Sequence, residues 1–241
     1  MKGISRLFFS FLVFGALISN CLAISEQRSY PLLVTYWNTK DLERRAEFER
    51  CFKENIANKY IGKIYVLYEK FDGNAPDFLV DPKIEIISWP GQPTYKDFFD
   101  FANEHLKDQV VIVANTDIFL DDTLSSIEKL DFTRERLVLA LTRYNVPEYK
   151  GRWRRHVRSM DTWIFKTPME YKDARYLIGK PGCELAMLDE WIAIGYNVSN
   201  PSLTIKTWHV HLNDARECRP GNRWLGVRYA FTPRSVPFTR I

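Results

Sequence analysis

Residues 110–122 read VVIVANTDIFLDD, and this stretch decides the fold. The four apolar, β-branched residues at 110–113 predict a strand that is buried on both faces. The polar residues after Ala114 predict the carboxyl end of that strand. Ligands in open α/β sheets bind at such strand ends, so this position is the first candidate for a site.

Two residues of this cluster suit a cation or a sugar. Asn115 and Asp117 are two apart, so in an extended chain their side chains would point to the same side. Amide and carboxylate oxygens are ligands that Mg²⁺ and Mn²⁺ accept. The alternative is that Asn and Asp only turn the chain and that Asp121 caps a following helix.

The pattern on both sides of this stretch predicts one α/β domain over residues 30–212. The order of predicted strands and helices is that of a mostly parallel sheet flanked by helices. The predicted strands cover residues 32–37, 64–68, 84–87, 110–113, 137–142, 160–166, 198–201 and 203–211, and the predicted helices cover 42–56, 95–106, 124–130 and 180–193. The irregular tail at 213–241, rich in Arg and Pro, is predicted to wrap this domain.

Composition excludes some partners. The chain has 241 residues, of which 46% are hydrophobic and 15% aromatic, as expected for a well-packed globular protein. Its net charge is +4, and Lys2 and Arg6 contribute to that charge from a segment expected to be removed. So small a positive charge gives no reason to expect nucleic acid as a partner.

Residues 1–23 have the layout of a secretory signal, with two basic residues, an apolar core at 7–18 and a small-residue cleavage site at 21–23. We therefore expect a secreted or exported protein. An uncleaved signal anchor, which would bring membrane contact, and a lipoprotein acylated at Cys21 are the alternatives. Export would leave three cysteines and at most one disulfide; they are Cys51, Cys183 and Cys218.

Residues 143–158, RYNVPEYKGRWRRHVR, predict a basic loop over the carboxyl edge of the sheet. Its arginines, Arg143 and Arg158 among them, could bind a diphosphate or an acidic acceptor through two hydrogen bonds each. The alternative is a solvated basic surface loop.

Four further residues are candidates, each with a structural alternative. Asp161 lies on a predicted strand together with Trp163, an aromatic side chain that could stack on a sugar or, more simply, belong to the core. Glu184 falls in the first turn of a predicted helix, where the helix dipole alone would stabilise it. His209 and His211 share one face of an extended segment. They could be metal ligands, acid or base groups, or structural residues.

Several segments together resemble the catalytic domain of GT-A-fold glycosyltransferases that use nucleotide sugars. They are TYKDFFDFANEHL, VVIVANTDIFLDD, MDTWIFK, GKPGCELAM and GYNVSNPSLTIKTWHVH, and the resemblance covers residues 32–212. It implies a single GT-A-like, Rossmann-like domain. It also implies sugar transfer from a nucleoside-diphosphate donor to a glycan, lipid or protein acceptor, assisted by Mn²⁺ or Mg²⁺.

The resemblance also assigns roles to residues. A strand-end Asp-x-Asp in such enzymes binds the donor ribose and, through a divalent cation, the diphosphate. The matching positions are Asn115, implied to bind the nucleoside or sugar, and Asp117, implied to bind the metal. An acidic residue at the start of a late helix, which contacts the acceptor or acts as base in inverting members, falls on Glu184.

Two further carry-overs complete the implied site. A histidine near the end of the domain, which completes the metal site, falls on His209 or His211. Asp161 matches an acidic position that borders the sugar pocket. Two other functions stay open: a metal-dependent phosphoester hydrolase, and a degenerate transferase that binds glycans without catalysis.

Overall fold

The computed structural model describes residues 28–146, 160–180 and 182–212. The predictions for the signal at 1–23, for Arg158 and its loop, and for the tail at 213–241 lie outside these residues. Within them the chain forms an α/β fold built on a mixed, mostly parallel sheet. The predicted fold class is confirmed at that level, and the sheet is compatible with a Rossmann-like fold.

Seven strands form the main sheet and three form a small one. The main-sheet strands are β1 (Tyr30–Tyr36), β2 (Ile61–Glu69), β3 (Ile84–Trp89), β4 (Val110–Ala114), β6 (Leu137–Thr142), β8 (Met160–Lys166) and β9 (Asn197–Ser199). The small sheet contains β5 (Ile118–Leu120), β7 (Tyr144–Asn145) and β10 (Thr207–His209). The order is β3-β2-β1-β4-β8-β6-β9 in the first and β5-β10-β7 in the second.

The order in which strands are added to the main sheet reverses at β1. From β1 the chain passes outward through β2 to β3, then returns to the other side of β1 as β4, and all these pairings are parallel. A crevice at the carboxyl ends of the strands is expected at such a switch point. Strand β8 runs antiparallel to β4, with Thr162 opposite Ala114, so the beginning of β8 lies beside the end of β4.

In the described residues, three α-helices pack on the sheet. Helix α1 (Leu42–Ala57) is capped by the Asp41 side chain, and α2 (Tyr95–His105) begins with a capping box formed by Thr94 and Asp97. Helix α3 (Cys183–Ala193) follows Gly182, which has a φ of 89°. Glycine adopts this left-handed backbone conformation at little cost. The helix predicted after Asp121 is a 3₁₀ helix, Asp122–Lys129, and the Asp121 side chain caps it as predicted.

The core has two layers, one on each face of the main sheet. Phe48 and Phe52 of α1 pack on one face, and Phe99 of α2 and Trp191 of α3 pack on the other. Trp163 is 1% exposed, and its Nε1 donates to the Tyr95 hydroxyl over 3.0 Å. Trp163 is therefore a core residue and does not present a surface for a sugar.

Two further findings concern the cysteines and the helices of the described residues. Cys51 and Cys183 are buried free thiols, so neither is in a disulfide. No helix within the described ranges is long and apolar enough to cross a membrane.

The loop before α3 is held by one buried carboxylate. Glu190 accepts hydrogen bonds from the backbone N–H groups of Lys172, Asp173 and Ala174. Glu190→Gln replaces one acceptor oxygen with a donor that faces an N–H group, so we expect a loss of about 2–4 kcal/mol in unfolding free energy. Urea unfolding measures it. Asp189→Asn at the exposed neighbouring position is the control, and an equal effect there would contradict this role.

Candidate functional site

The backbone turns immediately after β4. Ile118 N donates to Asn115 O over 3.1 Å, and Asn115 N donates to Asp161 O over 3.0 Å. The prediction that Asn115 and Asp117 lie in an extended chain and point to the same side is therefore wrong. The chain has to turn here because β5 leaves the main sheet and pairs with β10 in the small one. Asn115 faces β8, whereas Asp117 faces α1 and β10.

The first cluster forms around Asp161. Its Oδ1 accepts hydrogen bonds from Asn115 Nδ2 and from Arg143 Nη1, both over 2.9 Å. Asp161 is only 3% exposed, and a buried carboxylate is stable when it is paired and hydrogen-bonded in this way. The antiparallel β8 and the end of β6 bring these three side chains together.

Glu184 lies within electrostatic reach of this cluster. It occupies the first turn of α3, as predicted. Burial, together with the negative charge of Asp161, raises the pKa of Glu184 to about 7, and the charge of Arg143 opposes this shift only in part. A carboxyl group with a pKa near the working pH is suited to accept and release a proton.

The second cluster forms around Asp117. Its Oδ2 accepts from Arg44 Nη2 over 2.8 Å and lies 3.2 Å from His209 Nε2. Burial by itself would raise the pKa of Asp117, but the charges of His209 and Arg44 outweigh it and hold the pKa well below its usual range. Asp117 Oδ1 is buried and has no hydrogen-bond partner among the residues that the structure describes.

The second histidine joins the same cluster through Glu47. Arg44 Nη1 donates to Glu47 Oε2 over 2.6 Å, and the His211 Nδ1 lies 3.8 Å from Glu47 Oε1. The rings of His209 and His211 are stacked, with centroids 5.2 Å apart. Their shared face follows the predicted alternation. Burial and the nearby charge of His209 lower the pKa of His211.

Helix α1 is fixed to the small sheet by two buried amides. The Asn55 side chain donates to Ile118 O over 3.0 Å and accepts from Leu120 N over 3.1 Å. Asn58 Nδ2 donates to Leu120 O over 2.9 Å. These bonds fix the direction of α1 relative to β5, so Arg44 reaches Asp117.

Sequence reasoning missed Arg44 and Glu47. Neither residue was singled out among the many charges of the predicted helix at 42–56. A usable signal did exist, because positions 44, 47, 48, 51, 52 and 55 share one face of a helix, and Phe48, Cys51 and Phe52 are apolar. Charged residues on the face that also carries the core phenylalanines are candidates for buried ion pairs.

The two clusters are adjacent. The positive charge of Arg143, which pairs with Asp161, also contributes to the lowered pKa of Asp117. The structure therefore brings together Asn115, Asp117, Arg143, Asp161, Glu184, His209 and His211 at one end of the sheet. Arg158 lies outside the described residues.

The fit of a divalent cation was tested against the donor atoms in this cluster. Asp117 supplies a buried oxygen without a partner, and the His209 imidazole lies beside its other oxygen. No group of three or more His, Cys, Asp and Glu side chains that could hold a metal occurs in the described part of the chain. Two protein donors fit a cation such as Mg²⁺ or Mn²⁺ when phosphate oxygens and water complete its shell.

Comparison with known proteins adds no family at this point: no family model matches the chain, and no curated protein matches it. The argument for function therefore rests on the chemistry of the two clusters.

Proposed function

We propose that the chain is a GT-A-like glycosyltransferase that moves a sugar from a nucleoside-diphosphate donor to an acceptor hydroxyl group. One observation carries this proposal. Glu184, whose pKa is raised to about 7, and Asp117, whose Oδ1 is buried without a partner in the described residues, are both close enough to Arg143 for its charge to affect their pKa values. The strand order reverses between β1 and β4, and nucleotides bind at such switch points of open α/β sheets, which supports the proposal.

Donor binding is assigned to the first cluster and its neighbours. Asn115 uses its Nδ2 to donate to Asp161, so its carbonyl oxygen is the atom that can accept from a ribose or sugar hydroxyl. Arg143 is oriented by Asp161 and has a buried Nε without a partner in the described ranges. Its guanidinium group is suited to the diphosphate.

The cation is assigned to Asp117 and His209, with the donor phosphates completing its coordination. A bound Mn²⁺ or Mg²⁺ stabilises the negative charge that develops on the departing diphosphate. His211 lies next to His209 and Glu47, one step further from Asp117. We therefore assign His209 as the ligand and His211 as its support.

Proton transfer is assigned to Glu184. Asn115 and Arg143 both donate to Asp161 Oδ1, so we assign Asp161 to the orientation of these two side chains. Glu184 has the raised pKa and is the better base for the acceptor hydroxyl if the reaction inverts the anomeric centre.

This assignment predicts the pH dependence of transfer. The base form of Glu184 is the deprotonated one, and its pKa is about 7. We therefore expect kcat to rise roughly tenfold per pH unit below pH 7 and to level off above it. Initial rates between pH 5.5 and 8.5 measure the profile. A flat profile across this range would contradict the role of Glu184.

The proposal is tested by thermal shift with common nucleotide sugars, with and without Mn²⁺. We expect nucleotide and Mn²⁺ together to raise the Tm more than the sum of the two alone, since ligand binding to the native state stabilises it. No shift with any common nucleotide sugar would overturn the proposal. Consumption of the donor without an acceptor would instead indicate hydrolysis, and glycan binding without donor consumption would indicate a binding module.

A further inference from the structure

Arg44 is a fixed positive charge at the amino end of α1. Its two terminal nitrogens donate to different carboxylates, Nη2 to Asp117 over 2.8 Å and Nη1 to Glu47 over 2.6 Å. Its guanidinium carbon lies 4.8 Å from the centre of the Phe48 ring. Contacts on three sides hold the guanidinium group in one place.

The two oxygens of Asp117 differ as a result. Arg44 and His209 occupy the surroundings of Oδ2, whereas Oδ1 is buried without a partner in the described part of the chain. A cation that binds Oδ1 therefore approaches a carboxylate that a guanidinium group already neutralises. Two positive charges a few ångströms apart repel each other strongly in a partly buried site.

Counting charges shows what would relieve this repulsion. Asp117 and Glu47 contribute −2 and Arg44 contributes +1, so these three side chains together carry −1, with the two histidines left out of the count. A divalent cation changes that to +1, a surplus positive charge in a partly buried site. A diphosphate brings roughly two or more negative charges and removes the surplus.

We propose that Arg44 is the resident counter-ion of Asp117 and makes the binding of a divalent cation depend on the diphosphate donor. This inference rests on the proposed function. Arg44 acts through Asp117 and is a positioning residue. Without nucleotide it keeps the cation affinity low, and with nucleotide the phosphates and the cation bind together.

The test measures Mn²⁺ binding to the full chain without nucleotide, by the electron paramagnetic resonance signal of free Mn²⁺. We expect Arg44→Gln to bind Mn²⁺ at least about tenfold more tightly than the unaltered protein. Arg45→Gln, which removes the same charge from the exposed neighbouring position, should bind as the unaltered protein does. No gain with Arg44→Gln, or an equal gain with Arg45→Gln, would overturn the inference.

Two further variants complete the test. Adding Asp117→Asn to Arg44→Gln should remove the gain, and a gain that persists would place the cation elsewhere and contradict the inference. If Arg44→Gln does not fold, Arg44→Met replaces it, because this unbranched side chain fills similar space against Phe48 without a positive charge. The same gain is then expected, and no gain overturns the inference.

Measuring Mn²⁺ binding in the presence of a nucleoside diphosphate distinguishes failure of this inference from failure of the proposed function. In the unaltered protein, uridine or guanosine diphosphate should raise the Mn²⁺ affinity, and in Arg44→Gln this increase should be smaller. If neither diphosphate binds the unaltered protein, the proposed function is in doubt, while the comparison of Arg44 and Arg45 still decides the role of Arg44. If the increase is equal in both proteins, the role of Arg44 fails and the proposed function stands.

Discussion

Asp117→Asn is expected to abolish the joint stabilisation by Mn²⁺ and nucleotide sugar and to lower sugar transfer by at least about 100-fold. The substitution keeps the size of the side chain but removes the charge. An amide has one oxygen in place of two. It therefore cannot both accept from Arg44 and His209, as Oδ2 does, and offer a second oxygen to a ligand, as proposed for Oδ1. Thermal shift with and without Mn²⁺, together with initial transfer rates, measures both effects.

Loss of stability is a competing explanation for this variant. Removing Asp117 leaves the partly buried Arg44 with Glu47 alone, at a cost of about 2–4 kcal/mol. Asp121→Asn is the matched control. The Asp121 side chain accepts from Thr123 N over 3.0 Å and from Trp208 Nε1 over 2.8 Å, so that variant also loses stability. Asp121→Asn should still be stabilised by Mn²⁺ and nucleotide sugar together. Loss of this stabilisation in both variants would contradict a specific role for Asp117.

Glu184→Gln is expected to lower the transfer rate by about 10²–10⁴-fold and to leave donor binding intact. The amide keeps the shape of the side chain but cannot take the proton of the acceptor. The donor-induced thermal shift should therefore stay near its original size while kcat falls. An unchanged kcat, or a product with retained anomeric configuration, would contradict Glu184 as the base.

Glu184→Gln is expected to lower the transfer rate but to raise the unfolding free energy at alkaline pH. The pKa of Glu184 is about 7 in the folded protein and near its ordinary value of 4.5 in the unfolded chain. The folded state therefore binds the proton more tightly, and stability falls as the pH rises through this interval. Glu184→Gln avoids that loss, so at pH 8 it should be more stable by up to about 3 kcal/mol. Urea unfolding at pH 5 and pH 8 measures the difference.

Long apolar runs made much of the fold predictable. The strands at 137–142 and 160–166 have the predicted bounds, because most of their residues are apolar and the sheet buries both of their faces. Strand direction was not predictable in the same way. Nothing local in MDTWIFK shows that β8 runs antiparallel, and that direction places Asp161 beside Asn115.

The pairing in the small sheet was not predicted: β10 falls within the predicted strand at 203–211, but β5 and β7 were missed because they are too short to show a pattern. Strands β5 and β10 have three residues each, and β7 has two. Periodicity cannot be read over such lengths, so the turn after Asn115 was not predicted either. The pairing of β5 with β10 is what joins Asp117 to His209, 92 residues further along the chain.

The site was predictable where residue type and position agreed. The polar cluster after β4, the glutamate in the first turn of α3 and the two histidines on one face were identified from the sequence. Arg44 and Glu47 were not, because on a helix rich in charges they look like part of the solvated face. The structure shows Glu47 at 1% exposure, and the chain after β10, where Leu212 N donates to Glu47, contributes to that burial through a long-range contact.

A crystal structure with a nucleoside diphosphate and Mn²⁺ is the most direct test of the central claim. The anomalous signal of Mn²⁺ is predicted within coordination distance of Asp117 Oδ1, with the diphosphate between it and Arg143. An open groove of about 520 Å³ lies elsewhere, against β3, lined by Phe71, Leu79, Pro82 and Ile86 among others. Nucleotide and Mn²⁺ in that groove, or away from the ends of β1 and β4, would contradict the account.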